Sequence, residues 1–164
     1  MVTPLTNPFV DGPVPLGTLV TTAGRRITSQ LDEGLRAAGF PDVRAAHAPL
    51  FMAIDADGTN VTTLASRTRM TKQAVGELIR YLDDRGYLRA AADPRDKRVR
   101  LVRLTERGWA ALEAGQRVVA DFDTWLAGEL GADEVTRLRA ALELIAGTGA
   151  AGPAGDQVSG RSAR

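Results

Sequence analysis

The chain has 164 residues, 21 Lys or Arg against 20 Asp or Glu, one histidine and no cysteine. That length suits one domain with extensions, and the missing cysteine removes disulfides, thiol redox sensing and zinc-thiolate sites together. No apolar run approaches membrane-spanning length and the N-terminus lacks the pattern of a signal peptide, so a cytoplasmic protein with no membrane association is expected.

Residues 1–15 contain Pro4, Pro8, Pro13 and Pro15 and are expected to form an extended arm or a disordered lead, since proline at that density excludes a helix. From Leu16 the pattern changes. Leu19, Ala23, Ile27, Leu31 and Leu35 recur every four residues, which predicts a long amphipathic helix to Ala38. After Pro41-Asp42 a second helical face collects Val43, Ala46, His47, Leu50, Phe51 and Ile54, with Pro49 either kinking it or starting its ordered part. Asp57-Gly58 then turns the chain into Asn60-Val61, a candidate bridge to a later sheet.

Thr62 to Thr68 predicts a short helix with Leu64 and Ala65 inward, and a tight Arg69-Met70 connection leads to a second helix capped by Thr71. Val75, Leu78, Ile79 and Leu82 form the apolar face of that second helix, and Gly86 stands where a left-handed residue would stop it. Two helices joined this tightly match the helix-turn-helix unit, although Arg69 takes the place where glycine is common. Tyr87 to Ala91 and Val99 to Leu104 predict two strands around Asp93-Pro94-Arg95-Asp96-Lys97-Arg98, a turn with cations at its tip, so the pair is a basic hairpin wing. Thr105 opens a long helix with a Trp109, Leu112, Val119, Phe122 and Leu126 stripe, broken at Glu129-Leu130-Gly131. Val135, Leu138, Leu142 and Ile145 mark a last helix ending at Gly147. Residues 148–164 have almost nothing to bury and are expected to be disordered.

Charge is unevenly divided along this plan. Between Thr62 and Arg107 twelve Lys or Arg stand against six Asp or Glu, while the rest of the chain carries nine against fourteen. A positive module inside a negative remainder is what attraction to phosphates requires. Residues near the N-terminus of a recognition helix reach base edges in the major groove, which selects Thr71, Lys72, Gln73 and Gly76, with Arg80 further along the same face. Gln73 can pair bidentately with adenine, and Lys72 can reach guanine or only phosphate. Thr62, Arg67 and Arg69 are assigned to phosphates, which Arg80 is also placed to hold, and Arg95 and Lys97 add positive charge at the wing.

The order Leu64-Ala65, Gln73-Ala74-Val75, Leu82, Arg85-Gly86-Tyr87, Asp93-Pro94, Asp96, Arg98 and Leu104-Thr105-Glu106-Arg107-Gly108 resembles the MarR family of winged-helix transcriptional regulators. The resemblance implies a mainly α fold, a winged helix-turn-helix with a two-strand hairpin wing, and a helical dimerisation domain formed from both chain ends. Residues 16–56 and 105–147 would then be dimerisation and linker helices flanking a DNA-binding domain at 57–104. It further implies that Asp96 steadies Arg98 for entry into a minor groove, and that a palindromic operator in double-stranded DNA is bound by a homodimer, most simply as a repressor. Regulators of this type often respond to small aromatic or anionic molecules, for which His47, Phe51, Arg26 and Arg44 are the candidates here; the bland alternative is a core histidine. A single histidine without cysteine supports neither zinc sensing nor a nucleophile-and-base pair, so neither an enzyme nor a bound cofactor is expected. The competing interpretation is a winged helix used for protein contacts alone.

Overall fold

The computed structural model describes residues 13–93 and 97–147. It divides into two compact units, one ending at Val119 and the other starting at Ala120.

In the first unit, α1 (Leu16–Ala37) is closed by the backbone: Ala38 N–H donates to Gly34 O, and Phe40 N–H reaches Leu35 O across Gly39, whose φ is +91°. Leu35 is the helix's only fully buried residue, while Leu19 and Ile27 of the same stripe remain 52% and 38% exposed. A 3-10 turn over Ala45–His47 runs into α2 (Ala48–Ala53), where Pro49 occupies the first turn and so begins the helix rather than kinking it. The predicted apolar face holds except at Ala46, which is exposed; a 3-10 turn advances each residue by a third of a turn and moves Ala46 off the face.

The predicted Asn60-Val61 bridge lies one residue earlier, in β1 (Thr59–Asn60). Asn60 ends the strand in an extended conformation and its side chain accepts the Thr63 N–H at 2.9 Å, so Val61 already belongs to α3 (Val61–Thr68). Next come α4 (Lys72–Asp83), β2 (Leu88–Ala92) and β3 (Arg100–Leu104). The sheet has three strands rather than the two of the hairpin alone, in the antiparallel order β1-β3-β2, with Thr59 opposite Val102 and Leu88 opposite Leu104. Leu64, Val75, Leu82, Tyr87, Leu88 and Val102 are buried together at its inner face.

The first unit closes with the start of α5 (Glu106–Leu130). Thr105 caps it, accepting the Gly108 N–H and donating to the Gly86 carbonyl. Here the packing corrects the expected stripe: α5 turns Gly108, Ala111 and Ala114 inward, while Trp109 and Val119 are exposed. Close approach selects small residues, for a Cβ at Gly108 would collide with the Tyr87 carbonyl oxygen. The helix also continues through Glu129 and Leu130, good helix formers in mid-helix, and stops only at Gly131, whose φ is +85°.

The second unit contains the end of α5 and α6 (Ala132–Ala146). An Arg139–Asp123 ion pair at 3.2 Å links the two helices, yet α6 buries none of its residues, and Leu138, Leu142 and Ile145 stand open. Among the described residues no helix is long and apolar enough to cross a membrane.

Candidate nucleic-acid interface

The turn between α3 and α4 is built on an unusual backbone. Arg69 adopts φ 55° and ψ 32°, and among the described residues it is the one non-glycine with positive φ. This conformation lets Arg69 N–H and Met70 N–H bond back to Ser66 O and Ala65 O, satisfying the carbonyls at the end of α3. The tight turn expected at Arg69 therefore forms without glycine, at some conformational cost.

Thr71 then caps α4, its hydroxyl oxygen accepting the Ala74 N–H at 3.1 Å. Val75, Ile79 and Leu82 are buried, which rotates Thr71, Lys72, Gln73 and Arg80 to the surface, with Gly76 partly covered. Gly76 has nothing within 4 Å of the place a Cβ would take, so the middle of this face is low and a base edge can come close. Gln73 donates one amide hydrogen to Glu77 at 3.3 Å, which orients the amide while its oxygen and second hydrogen stay available. After α4, Tyr87 N–H bonds to Leu82 O across Gly86, whose φ is +75°.

The residues assigned to phosphate divide. Thr62 is exposed on the first turn of α3 and Arg69 is exposed at the turn. Arg67 is engaged inside the module: its Nη1 donates to the Ala53 carbonyl at 2.7 Å and to Asp55 at 2.8 Å, tying α3 to the end of α2. That hydrogen bond, followed by one from Thr59, holds the Asp55 carboxyl below the usual carboxylate range. Arg67 consequently positions the reading helices and keeps only part of its guanidinium for a phosphate.

At the wing, Asp93 N–H bonds to Val99 O at 2.8 Å and closes the hairpin, with Lys97 and Arg98 exposed beyond it. The expected roles of Arg95 and Asp96 lie outside the described residues. Arg100, absent from the sequence-based assignment, is exposed on β3 next to the tip and donates to Ala90 O at 3.1 Å. Its signal was its place two residues after Arg98, where the basic run of the wing enters the strand.

The ligand candidates are not brought together as an open cleft. His47 is 9% exposed, its Nδ1 accepting the Arg44 N–H at 3.2 Å and its ring lying 5.4 Å from that of Tyr81 on α4. Burial pushes its pKa below the usual 6.5; Asp32 opposes that shift and Arg44 adds to it. Phe51 is buried in the core, and Arg44 pairs with Asp32 of α1 at 3.7 Å. Arg26 is exposed on α1. Tyr81 also carries the Arg85 guanidinium 3.6 Å above its ring, and its hydroxyl donates to Asp42 O. His47 thus joins the α1 side of the unit to the reading helix. No group of three or more candidate metal ligands occurs among the described residues.

Residues 41–99 match the model of the MarR family. No curated protein matches the chain. Among solved structures, the chain is similar to the reduced form of MarR from E.coli at 27% identity and TM-score 0.66, over 82% of this chain and 98% of that one. It is also similar to the transcriptional repressor CouR bound to a 23-mer DNA duplex, at 23% identity and TM-score 0.68 over 88% and 99%. CouR from Rhodococcus jostii RHA1 bound to p-coumaroyl-CoA matches at 20% identity and TM-score 0.64 over 84% and 96%. These last two likenesses are of fold.

Proposed function

We propose that the chain is a MarR-family winged-helix transcriptional regulator, a cytoplasmic, homodimeric repressor that reads a palindromic operator and is released by a small ligand. The observation that carries this is the exposed polar edge of α4, Thr71, Lys72, Gln73 and Arg80 around an open Gly76, held by a capped, fully packed helix-turn-helix beside a basic wing. Lys72 and Gln73 read bases, Thr62, Arg69 and Arg80 hold phosphates, and Arg98, with Arg95, Lys97 and Asp96, serves the minor groove. The solved relative bound to a DNA duplex supports the same use of the fold.

Dimerisation through 16–56 and 105–147 is supported by the exposed apolar residues on the helices of each unit: Leu16, Leu19 and Ile27 on α1, and Leu138, Leu142 and Ile145 on α6. Soluble proteins rarely leave such stripes open, and a two-fold related copy covers identical patches reciprocally. A dimer also sets the spacing of two recognition helices, which a ligand can change only by favouring one spacing over another. The p-coumaroyl-CoA complex of CouR supports a ligand-responsive regulator. In this chain His47, which accepts the Arg44 N–H and faces the Tyr81 ring of α4, is where a small aromatic acid would act on the reading helix, with Phe51, Arg26 and Arg44 the other candidates.

Sequencing the DNA that the purified full-length protein retains from sheared genomic DNA tests the proposal and exposes the operator. A recovered palindrome is expected. On it, Gln73→Ala should relax discrimination at one base pair per half-site, worth about 1–3 kcal/mol. Equal weakening on every sequence would remove Gln73 as a reader, and a chain that retains no DNA would leave the fold to protein contacts.

A further inference from the structure

The outer face of the wing sheet holds a charge arrangement that none of the DNA contacts assigned above uses. The β2–β3 register places Arg89 directly opposite Arg103. Their strand neighbours Leu88 and Val102 turn inward and are buried, so both arginines project from the other face. Like charges directly opposite destabilise a strand pair, and this pair is not neutralised within the sheet. Arg103 is pinned by its Nε, which donates to Asp57 O at 2.7 Å. Arg107, at the start of α5, lies 4.7 Å above the Tyr87 ring and donates to the Tyr87 hydroxyl at 3.0 Å. The Arg89 side chain makes no hydrogen bond or ion pair among the described residues, and Arg89 is exposed.

These three arginines line one hollow of ≈ 460 Å³, in which Glu106 is the single carboxylate among the described residues and Ala91 and Leu104 supply the apolar lining. Arg103 and Arg107 are each held by one bond, which fixes their planes and leaves most of their five N–H donors unspent. Thr105 contributes no free donor, because its hydroxyl is committed to the carbonyls of Gly86 and Tyr87. Three cations against one anion leave an excess of two positive charges. That excess matches a phosphate dianion better than a carboxylate, and a planar fork of donors is suited to phosphate oxygens.

We propose that this hollow is a phosphate-binding site, with Arg89 as its principal ligand and Arg103 and Arg107 as pre-positioned flanking donors. The phosphate comes either from a small free phosphate compound, whose organic part rests on Ala91 and Leu104, or from the backbone of a bound duplex. Because the site lies on the sheet face opposite the buried core residues, a ligand there loads the wing without covering Lys72 or Gln73 of α4.

The test uses the full-length protein and pyrophosphate as probe, with binding followed by calorimetry and by the arginine side-chain N–H signals in NMR. Saturable binding is expected, weakened about tenfold in Arg89→Gln. Arg25→Gln, which removes an equal charge from α1, should bind as wild type does. Arg89→Lys, which keeps the charge without the fork, should fall between. In a second arm, the salt dependence of duplex binding is compared between wild type and Arg89→Gln; a slope smaller by about one assigns the phosphate to the DNA backbone. Pyrophosphate binding with an unchanged slope assigns it to a free compound, and does so whether or not an operator is ever found. Absence of saturable pyrophosphate binding together with equal slopes overturns the site, as does equal weakening in Arg25→Gln, which would reduce it to diffuse attraction.

Discussion

Gly108→Ala should be the most damaging single-methyl change in the winged-helix unit. A Cβ at this position would overlap the Tyr87 carbonyl oxygen, a backbone atom that cannot rotate away, and would sit 3.1 Å from Leu104 Cδ2. That carbonyl also accepts the Thr105 N–H and the Thr105 hydroxyl, both at 3.1 Å, so any retreat of α5 stretches two hydrogen bonds at once. Overpacking costs about 1–3 kcal/mol. Weakening two hydrogen bonds adds about 1 kcal/mol, for a total loss of roughly 2–4 kcal/mol. Gly76→Ala is the matched control: it has open space and sits mid-helix, so it should stabilise the protein by up to about 1 kcal/mol. Urea unfolding followed by circular dichroism, with all variants at one protein concentration so that mass action is constant, measures both. A Gly108→Ala protein within about 0.5 kcal/mol of wild type would mean that α5 does not approach the Gly86–Tyr87 corner as closely as described, a difference smaller than the ordinary effect of a neutral surface change.

Arg98→Ala should weaken operator binding and reduce the salt slope by about one while leaving the oligomeric state intact; an unchanged affinity would make Arg98 a solvated wing residue. For His47, burial holds the folded-state pKa below 6.5, so the folded protein resists the proton that the unfolded chain accepts. Stability should accordingly be level above about pH 6.5, fall by at most about 1.4 kcal/mol per unit as pH drops below it, and level again beneath the folded pKa. His47→Asn, which can still accept the Arg44 N–H, should remove that segment of the pH profile, and an identical profile in both proteins would exclude His47 as its source. Light scattering should give twice the chain mass at micromolar concentration; the monomer mass would remove both the two-fold dimer and the palindrome.

Local signals carried the reading module. Thr71 caps α4 as its side-chain chemistry and its position before Val75, Ile79 and Leu82 required, and Gly86 supplies the positive φ that ends the segment. The hairpin was legible for the same reason: β-branched and aliphatic runs flank Asp93-Pro94, and the pairing of Leu88 with Leu104 follows from their alternation. These features depend on residues a few positions apart, so periodicity and turn chemistry determine them without reference to the rest of the chain.

What required the tertiary structure is contact between distant segments. Periodicity identified α5 as a helix but offered its large residues as the buried face, whereas the close crossing at Tyr87 selects Gly108, Ala111 and Ala114 instead. Spacing alone assigned Arg67 to phosphate because nothing near it in sequence is a partner; Asp55 and the Ala53 carbonyl reach it only when α2 and α3 pack. Likewise Arg89 and Arg103 are fourteen residues apart and become opposed through the register of two strands, a relation fixed by the hairpin's pairing and invisible in either strand read by itself.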